Sequence, residues 1–160
     1  MTKPSNVLVI EDSPGDFLLL QRQLRKDGMD VQCHRVESNE ALWEALNRGG
    51  WDVLLSDYNV PGMDVVETLA RVHEHHPDLP FILISGTVGE EVAVDLLKQG
   101  AADVVLKERL ARLAPAIERT MKDAGARNDK RAADIQVQRI SRLYNVFGEI
   151  NAAILRSPDR

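Results

Sequence analysis

Four short apolar stretches of this chain each run into residues able to do polar chemistry. Val7–Ile10 leads into Glu11-Asp12, Val53–Ser56 into Asp57, Pro80–Ile84 into Ser85, and Asp103–Leu106 into Lys107. A carboxylate where an apolar run ends is costly to bury unless something compensates its charge. Three carboxylates gathered together repel one another unless a cation joins them. Oxygen donors without His or Cys suit a hard ion, which favours Mg²⁺. A Lys beside them supplies a positive group for the oxygens of a transferred phosphoryl group. A Ser hydroxyl can donate to the same oxygens. This set describes a phosphoryl-accepting site with Asp57 as nucleophile and an acyl phosphate as product. Taken singly, Glu11-Asp12 and Lys107 read better as solvated strand ends, and Asp57 alone does not exclude a loop cap. The four strand ends carry the reading jointly.

The elements that must position these groups alternate along the chain. Asn6–Ile10 reads as a strand. Ser13-Pro14 then reads as an N-cap followed by Pro in the first helical turn. Phe17, Leu18, Leu20 and Leu24 continue that helix to Lys26-Asp27-Gly28. Val31–Val36 is a second strand. Ser38 caps a helix through Ala41, Leu42, Ala45 and Leu46, stopped at Gly49-Gly50. A third strand covers Trp51–Ser56 and closes on Pro61-Gly62. The remaining expectations are a helix from Asp64 to about His75, a strand at Pro80–Ile84, a helix from Glu90 to Gln99, a strand at Asp103–Leu106 and a helix at Arg109–Lys122. Five strands alternating with five helices through short connections predict an α/β fold with a parallel sheet covered on both faces. Such a sheet brings the carboxyl ends of its strands to one edge, where ligands of open α/β sheets bind.

The totals set bounds. At 160 residues, with 44% hydrophobic and 28% charged residues, there is room for one ordinary domain and a modest appendage. The formal net charge of −5 gives no overall electrostatic case for nucleic-acid binding. Residues 1–126 carry 13 Lys+Arg against 21 Asp+Glu, or −8, and residues 127–160 carry 7 against 4, or +3. The lone Cys33 makes no internal disulfide, as expected of a reducing compartment. Val7–Ile10 is too short for a signal-peptide core, and no apolar run approaches membrane-spanning length. The expectation is a cytoplasmic protein.

Val7-Leu8-Val9-Ile10-Glu11-Asp12, Leu54-Leu55-Ser56-Asp57-Tyr58-Asn59-Val60-Pro61-Gly62-Met63-Asp64, Ile84-Ser85-Gly86-Thr87 and Gly100-Ala101-Ala102-Asp103-Val104-Val105-Leu106-Lys107 agree in type, order and spacing with one family. They resemble the CheY-like receiver domain of two-component response regulators over about residues 5–124. The resemblance implies a flavodoxin-like (βα)5 fold, a doubly wound five-stranded parallel sheet. It implies that Glu11, Asp12, Asp57 and the main-chain carbonyl of Asn59 hold Mg²⁺. Asp57 would take its phosphoryl group from a phosphohistidine on a sensor histidine kinase or phosphotransfer protein. Ser85 would swing toward that group and Lys107 would pair with it. Two positions depart from the family pattern. Val104 stands where receivers usually carry an aromatic residue whose rotation reports phosphorylation. Glu108 stands where a Pro, often in a cis bond, usually follows the Lys, so a trans bond and a differently shaped loop are expected.

Other motifs weigh less. A haloacid-dehalogenase-type phosphatase also uses a strand-end Asp with Mg²⁺, but wants a second Asp two residues on as acid/base. Asn59 holds that position and cannot exchange a proton usefully. His73 and His76 have helical spacing, yet Pro77 follows and no Cys is near, so an exposed helix end is expected. Gly86-Thr87-Val88-Gly89 lacks the Lys-Ser/Thr of a phosphate loop.

Beyond residue 125, Val137, Ile140, Tyr144, Phe147 and Ile154 follow helical spacing, predicting a long C-terminal amphipathic helix. We assign residues 1–124 to the receiver and 125–160 to a signalling or dimerisation helix that pairs with a second copy. Residues 144–154 resemble the lead-in helix of a GAF-type sensor domain, as if an output region followed. The alternative function is a receiver-shaped scaffold that is never phosphorylated.

Overall fold

The computed structural model describes residues 4–86 and 89–126. The elements are β1 (Ser5–Ile10), α1 (Pro14–Lys26), β2 (Val31–Val36), α2 (Asn39–Arg48), β3 (Val53–Asp57), α3 (Val65–His75), β4 (Phe81–Ser85), α4 (Glu90–Lys98) and β5 (Asp103–Leu106). A 3₁₀ segment (Lys107–Arg112) follows, and residues 113–126 are helical (α5). Backbone contacts divide the chain after Ala124. The predicted amphipathic helix and the GAF-like stretch lie outside the described residues.

All strand pairs are parallel, in the order β2-β1-β3-β4-β5. This is the flavodoxin-like order, doubly wound as expected. The inner strands β3 and β4 bury every residue, as parallel strands covered on both faces must. The edge strand β2 instead alternates, with Gln32 and His34 exposed between buried Val31 and Val36.

Side chains of successive strand residues point to opposite faces, so the sheet separates two cores. Leu8, Ile10, Leu54 and Leu83 pack with Leu42 and Leu46 of α2, Leu69 and Val72 of α3, and Leu96 of α4. Val7, Val9, Leu55, Ile82, Ile84 and Val105 pack with Leu20 and Leu24 of α1, and with Leu113 and Ile117 of α5.

The helix starts follow their capping residues. The Ser13 hydroxyl accepts from the Asp16 N–H at 3.2 Å, with Pro14 opening α1. The Ser38 hydroxyl accepts from the Ala41 N–H at 3.2 Å. One Asp64 carboxylate oxygen accepts from the Val66 and Glu67 N–H groups at 3.0 and 3.2 Å. Gly62 has φ +80°, and the Met63 N–H donates to the Val60 carbonyl at 3.1 Å. Pro61-Gly62 therefore forms a type II turn, which needs positive φ at its third residue.

Several boundaries differ from expectation. β3 starts at Val53 rather than Trp51, because the Trp51 indole N–H donates to the Ala45 carbonyl at 2.7 Å and fastens the α2–β3 connection instead. Asp57 and Ser85 are the last residues of their strands rather than the first of their loops. The fifth helix does not begin at Arg109. Lys107–Arg112 has no side-chain cap and buries none of its residues, and Arg109 breaks its helical course at φ −128°, ψ 48°. With no cap and no buried face, that segment tightens into 3₁₀ geometry. The regular helix begins at 113, where Leu113 becomes fully buried.

Candidate functional site at the carboxyl edge of the sheet

The register of the parallel strands sets the site. Asp57 is opposite Ile84, and Ser85 opposite Leu106, so the ends of β3, β4 and β5 step along one edge with Glu11 just past the end of β1. Backbone bonds fix each end. The Glu11 N–H donates to the Val36 carbonyl at 3.0 Å, and the Tyr58 N–H to the Ile84 carbonyl at 3.1 Å. The Arg35 guanidinium donates to the Glu11 carbonyl at 3.1 Å. The buried Ser56 hydroxyl donates to the Asp57 carbonyl at 2.9 Å.

Glu11 is 5% exposed and Asp57 9%. With the exposed Asp12, they offer carboxylate oxygens that all lie within 4.8 Å of one another. Lys107 reaches into this group from the end of β5. Its Nζ donates to Asp57 Oδ2 at 3.3 Å and stands 3.8 Å from Glu11 Oε1. Ser85 is buried at the end of β4. Asn59 is exposed, between Asp57 and the Pro61-Gly62 turn. Thr87 lies outside the described residues.

The electrostatics follow from crowding. The Glu11 carboxyl is pushed up from 4.5 to about 7, first by burial and then by the charge of Asp57, with Lys107 and the Ser13 N–H pulling the other way. Burial works to lower the Lys107 ammonium pKa, but the hydrogen bond to Asp16 and the charges of Asp57 and Glu11 outweigh it and leave it above its usual value. Three carboxylates sharing one ammonium leave net negative charge. That surplus, in an oxygen-only donor set, fits a hard divalent cation.

The sequence reading missed Asp16. It sits in the first turn of α1, and its Oδ2 accepts from Lys107 Nζ at 2.9 Å, closer than Asp57 does. An acidic residue in a first helical turn ordinarily complements the helix dipole, so its type and position gave no separate signal. Its side of the site opens into a cleft of about 80 Å³ that includes Glu11, Asp16, Leu19, Asp57, Lys107 and Leu110 in its lining.

The other motifs sit elsewhere. His73 and His75 are exposed at the end of α3, and His75 and His76 lie beside the Trp43 ring at 5.5 and 6.3 Å. Val104 packs, partly buried, against the α2–α3–α4 core. No cis peptide bond occurs among the described residues, so Lys107-Glu108 is trans, as expected.

Residues 7–118 match the response regulator receiver domain family. The chain is 34% identical over 102 residues to the DNA-binding transcriptional regulator NtrC of Proteus hauseri, an overlap of 64% of this chain and 21% of that protein. It is 32% identical over 108 residues to the response regulator protein FleR of Pseudomonas aeruginosa, covering 68% of this chain and 22% of FleR. The chain thus spans about a fifth of the length of these relatives. Among solved structures, NtrX from Brucella abortus superposes with a TM-score of 0.71 at 24% identity, covering 83% of this chain and 30% of NtrX. The signal receiver domain of an HD domain-containing protein from Pseudomonas fluorescens gives 0.70 at 18% identity, covering 81% and 95%. These two likenesses speak to the fold.

Proposed function

The chain belongs to the response regulator receiver domain family, and from that premise we propose that Asp57 accepts a phosphoryl group from a histidine kinase or phosphotransfer protein in a Mg²⁺-dependent reaction. The observation that carries this reading is the nearly buried Asp57 carboxylate, gathered with Glu11 and Asp12 and faced by Lys107 at 3.3 Å. Receivers are signalling modules.

In the transfer, an Asp57 oxygen attacks phosphorus. The new O–P bond forms as the P–N bond of the donor phosphohistidine breaks, and the electron pair leaves with the imidazole. Lys107 lies where charge builds on the phosphoryl oxygens and offsets it. Ser85, at the end of the neighbouring strand, supplies a hydroxyl donor to the same oxygens. Glu11, Asp12, Asp57 and the Asn59 carbonyl would hold Mg²⁺, whose positive charge polarises the phosphoryl oxygens and lessens repulsion between donor and pocket. Asn59 offers no acid or base two residues beyond Asp57, so the acyl phosphate persists as a signal rather than turning over. The C-terminal segment, residues 125–160, then relays the state and pairs with a second copy.

Acetyl phosphate with Mg²⁺ tests the reading by intact mass. Wild type gains one phosphoryl group and Asp57→Asn gains none. A wild type that binds Mg²⁺ yet gains nothing, from acetyl phosphate or from a phosphohistidine protein, sinks the phosphoacceptor and leaves the scaffold.

A further inference from the structure

The ammonium of Lys107 hydrogen-bonds two carboxylates on different elements, and the shorter bond is to the one outside the proposed metal and phosphoryl set. We infer that Asp16 is a positioning residue for Lys107. It holds the ammonium at the mouth of the pocket while Asp57 is unphosphorylated, and competes with the phosphoryl group for it afterwards. This deepens the phosphoacceptor reading and rests on it.

The geometry separates this pair from an ordinary surface contact. Exposed ion pairs are worth little because both side chains remain solvated and mobile. Here the Lys107 side chain is 31% exposed, and its Nζ is held simultaneously by Asp16 at 2.9 Å and Asp57 at 3.3 Å. The two residues are 91 positions apart and tie the first turn of α1 to the end of β5. The Asp16 backbone is itself fixed by the Ser13 cap. The Asp16 carboxylate lies on the solvent side, 46% exposed, whereas that of Asp57 is 10% exposed.

Phosphorylation alters both partners. The Asp57 oxygen bound to phosphorus gives up its charge, and two or nearly two negative charges appear beyond it on the phosphoryl oxygens. Lys107 then has a new partner beyond Asp57, in the cleft that Asp16, Asp57 and Lys107 line together. Asp16 keeps a share of the ammonium and repels the phosphoryl group as a like charge. Both effects act against the phosphorylated state, so Asp16 shortens the life of the signal.

Asp16→Asn keeps the shape of the side chain and removes its charge, and it supports two readouts. The first needs no phosphorylation. With Asp16 neutral, the ammonium loses the shorter of its two hydrogen-bonded carboxylates and is freer to leave the mouth of the pocket for reagent in solution. Limited acylation with an acetylating ester, read by peptide mass against the exposed Lys98, is expected to rise several-fold at Lys107 alone. The second is the half-life of acetyl-phosphate-labelled protein, expected to lengthen about two- to fivefold. Unchanged Lys107 reactivity overturns the positioning role, because a helix-cap role alone would not move it. Changed reactivity with an unchanged half-life overturns the competition. If neither wild type nor variant takes up phosphate, the parent reading fails and the competition with it, while the acylation result still decides whether Asp16 positions Lys107.

Discussion

Asp57 and Lys107 meet at 3.3 Å although 50 residues separate them. The meeting follows from topology: β3 and β5 flank β4, and both end at the same edge. Lys107 is the cation bonded into a group of carboxylates, so removing it exposes the repulsion it offsets. Lys107→Met is expected to lower metal-free stability at pH 8 by about 1–3 kcal/mol, since ionised groups with little access to water lose their partner. Added Mg²⁺ should recover much of that loss, and should bind the variant more tightly than wild type because no ammonium competes for the carboxylates. Urea unfolding with and without Mg²⁺ reads both effects. A variant as stable as wild type without metal would show that Lys107 contributes nothing at rest.

Glu11 gives metal-free stability a defined pH dependence. Its carboxyl titrates near 7 in the folded protein and at about 4.5 as an ordinary Glu. The folded state holds that proton more tightly than the unfolded chain does. The contribution is therefore fully present below about 4.5 and is lost as pH rises through about 7. Ionising this side chain between those values costs the fold on the order of 3 kcal/mol. The melting temperature of metal-free wild type should fall across pH 5 to 8, while Glu11→Gln, which does not titrate, should stay flatter in that window. Parallel curves would place the titration elsewhere.

Leu83 lies fully buried in the middle of β4, with its side chain in the α2–α3–α4 core. Leu83→Ala is expected to cost about 2–5 kcal/mol through lost burial and a residual cavity. The denaturant midpoint should drop with the slope unchanged, and a loss below 1 kcal/mol would mean the core closes over the gap.

How much of this was legible can be argued from the same residues. The apolar runs, the caps at Ser13 and Ser38 and the strand-end groups are local patterns, and each has a local physical cause. The gathering of Glu11, Asp12, Asp57, Ser85 and Lys107 at one edge followed once the strands were taken as parallel. What was not legible depends on distances between elements. Asp16 becomes a partner of Lys107 only because α1 starts beside the end of β5, and nothing in its own neighbourhood distinguishes it from a dipole-complementing carboxylate. The late start of α5 depends on where Leu113 meets the core, which periodicity cannot fix to within a few residues. Trp51 belonged to an apolar run, yet its indole bond to Ala45 took it out of the strand.

The turn after Asp57 provides a test in which two substitutions at one position should part company. Gly62 has φ +80°, and a Cβ added there would meet nothing within 4 Å. The penalty of a side chain is therefore backbone strain alone, about 1–2 kcal/mol for Ala. Asn tolerates this left-handed region better than Ala because its short polar side chain bonds locally. Gly62→Ala should lower the melting temperature by several degrees, and Gly62→Asn by clearly less. The strain falls on the turn that carries the chain on from Asn59, whose carbonyl is proposed as a Mg²⁺ ligand. Mg²⁺ affinity should fall in the same order, with Ala weaker than Asn and Asn close to wild type. Equal melting temperatures for the two variants would remove the conformational account of Gly62. A stability order without a matching order in Mg²⁺ affinity would uncouple this turn from the metal and count against Asn59 as a ligand.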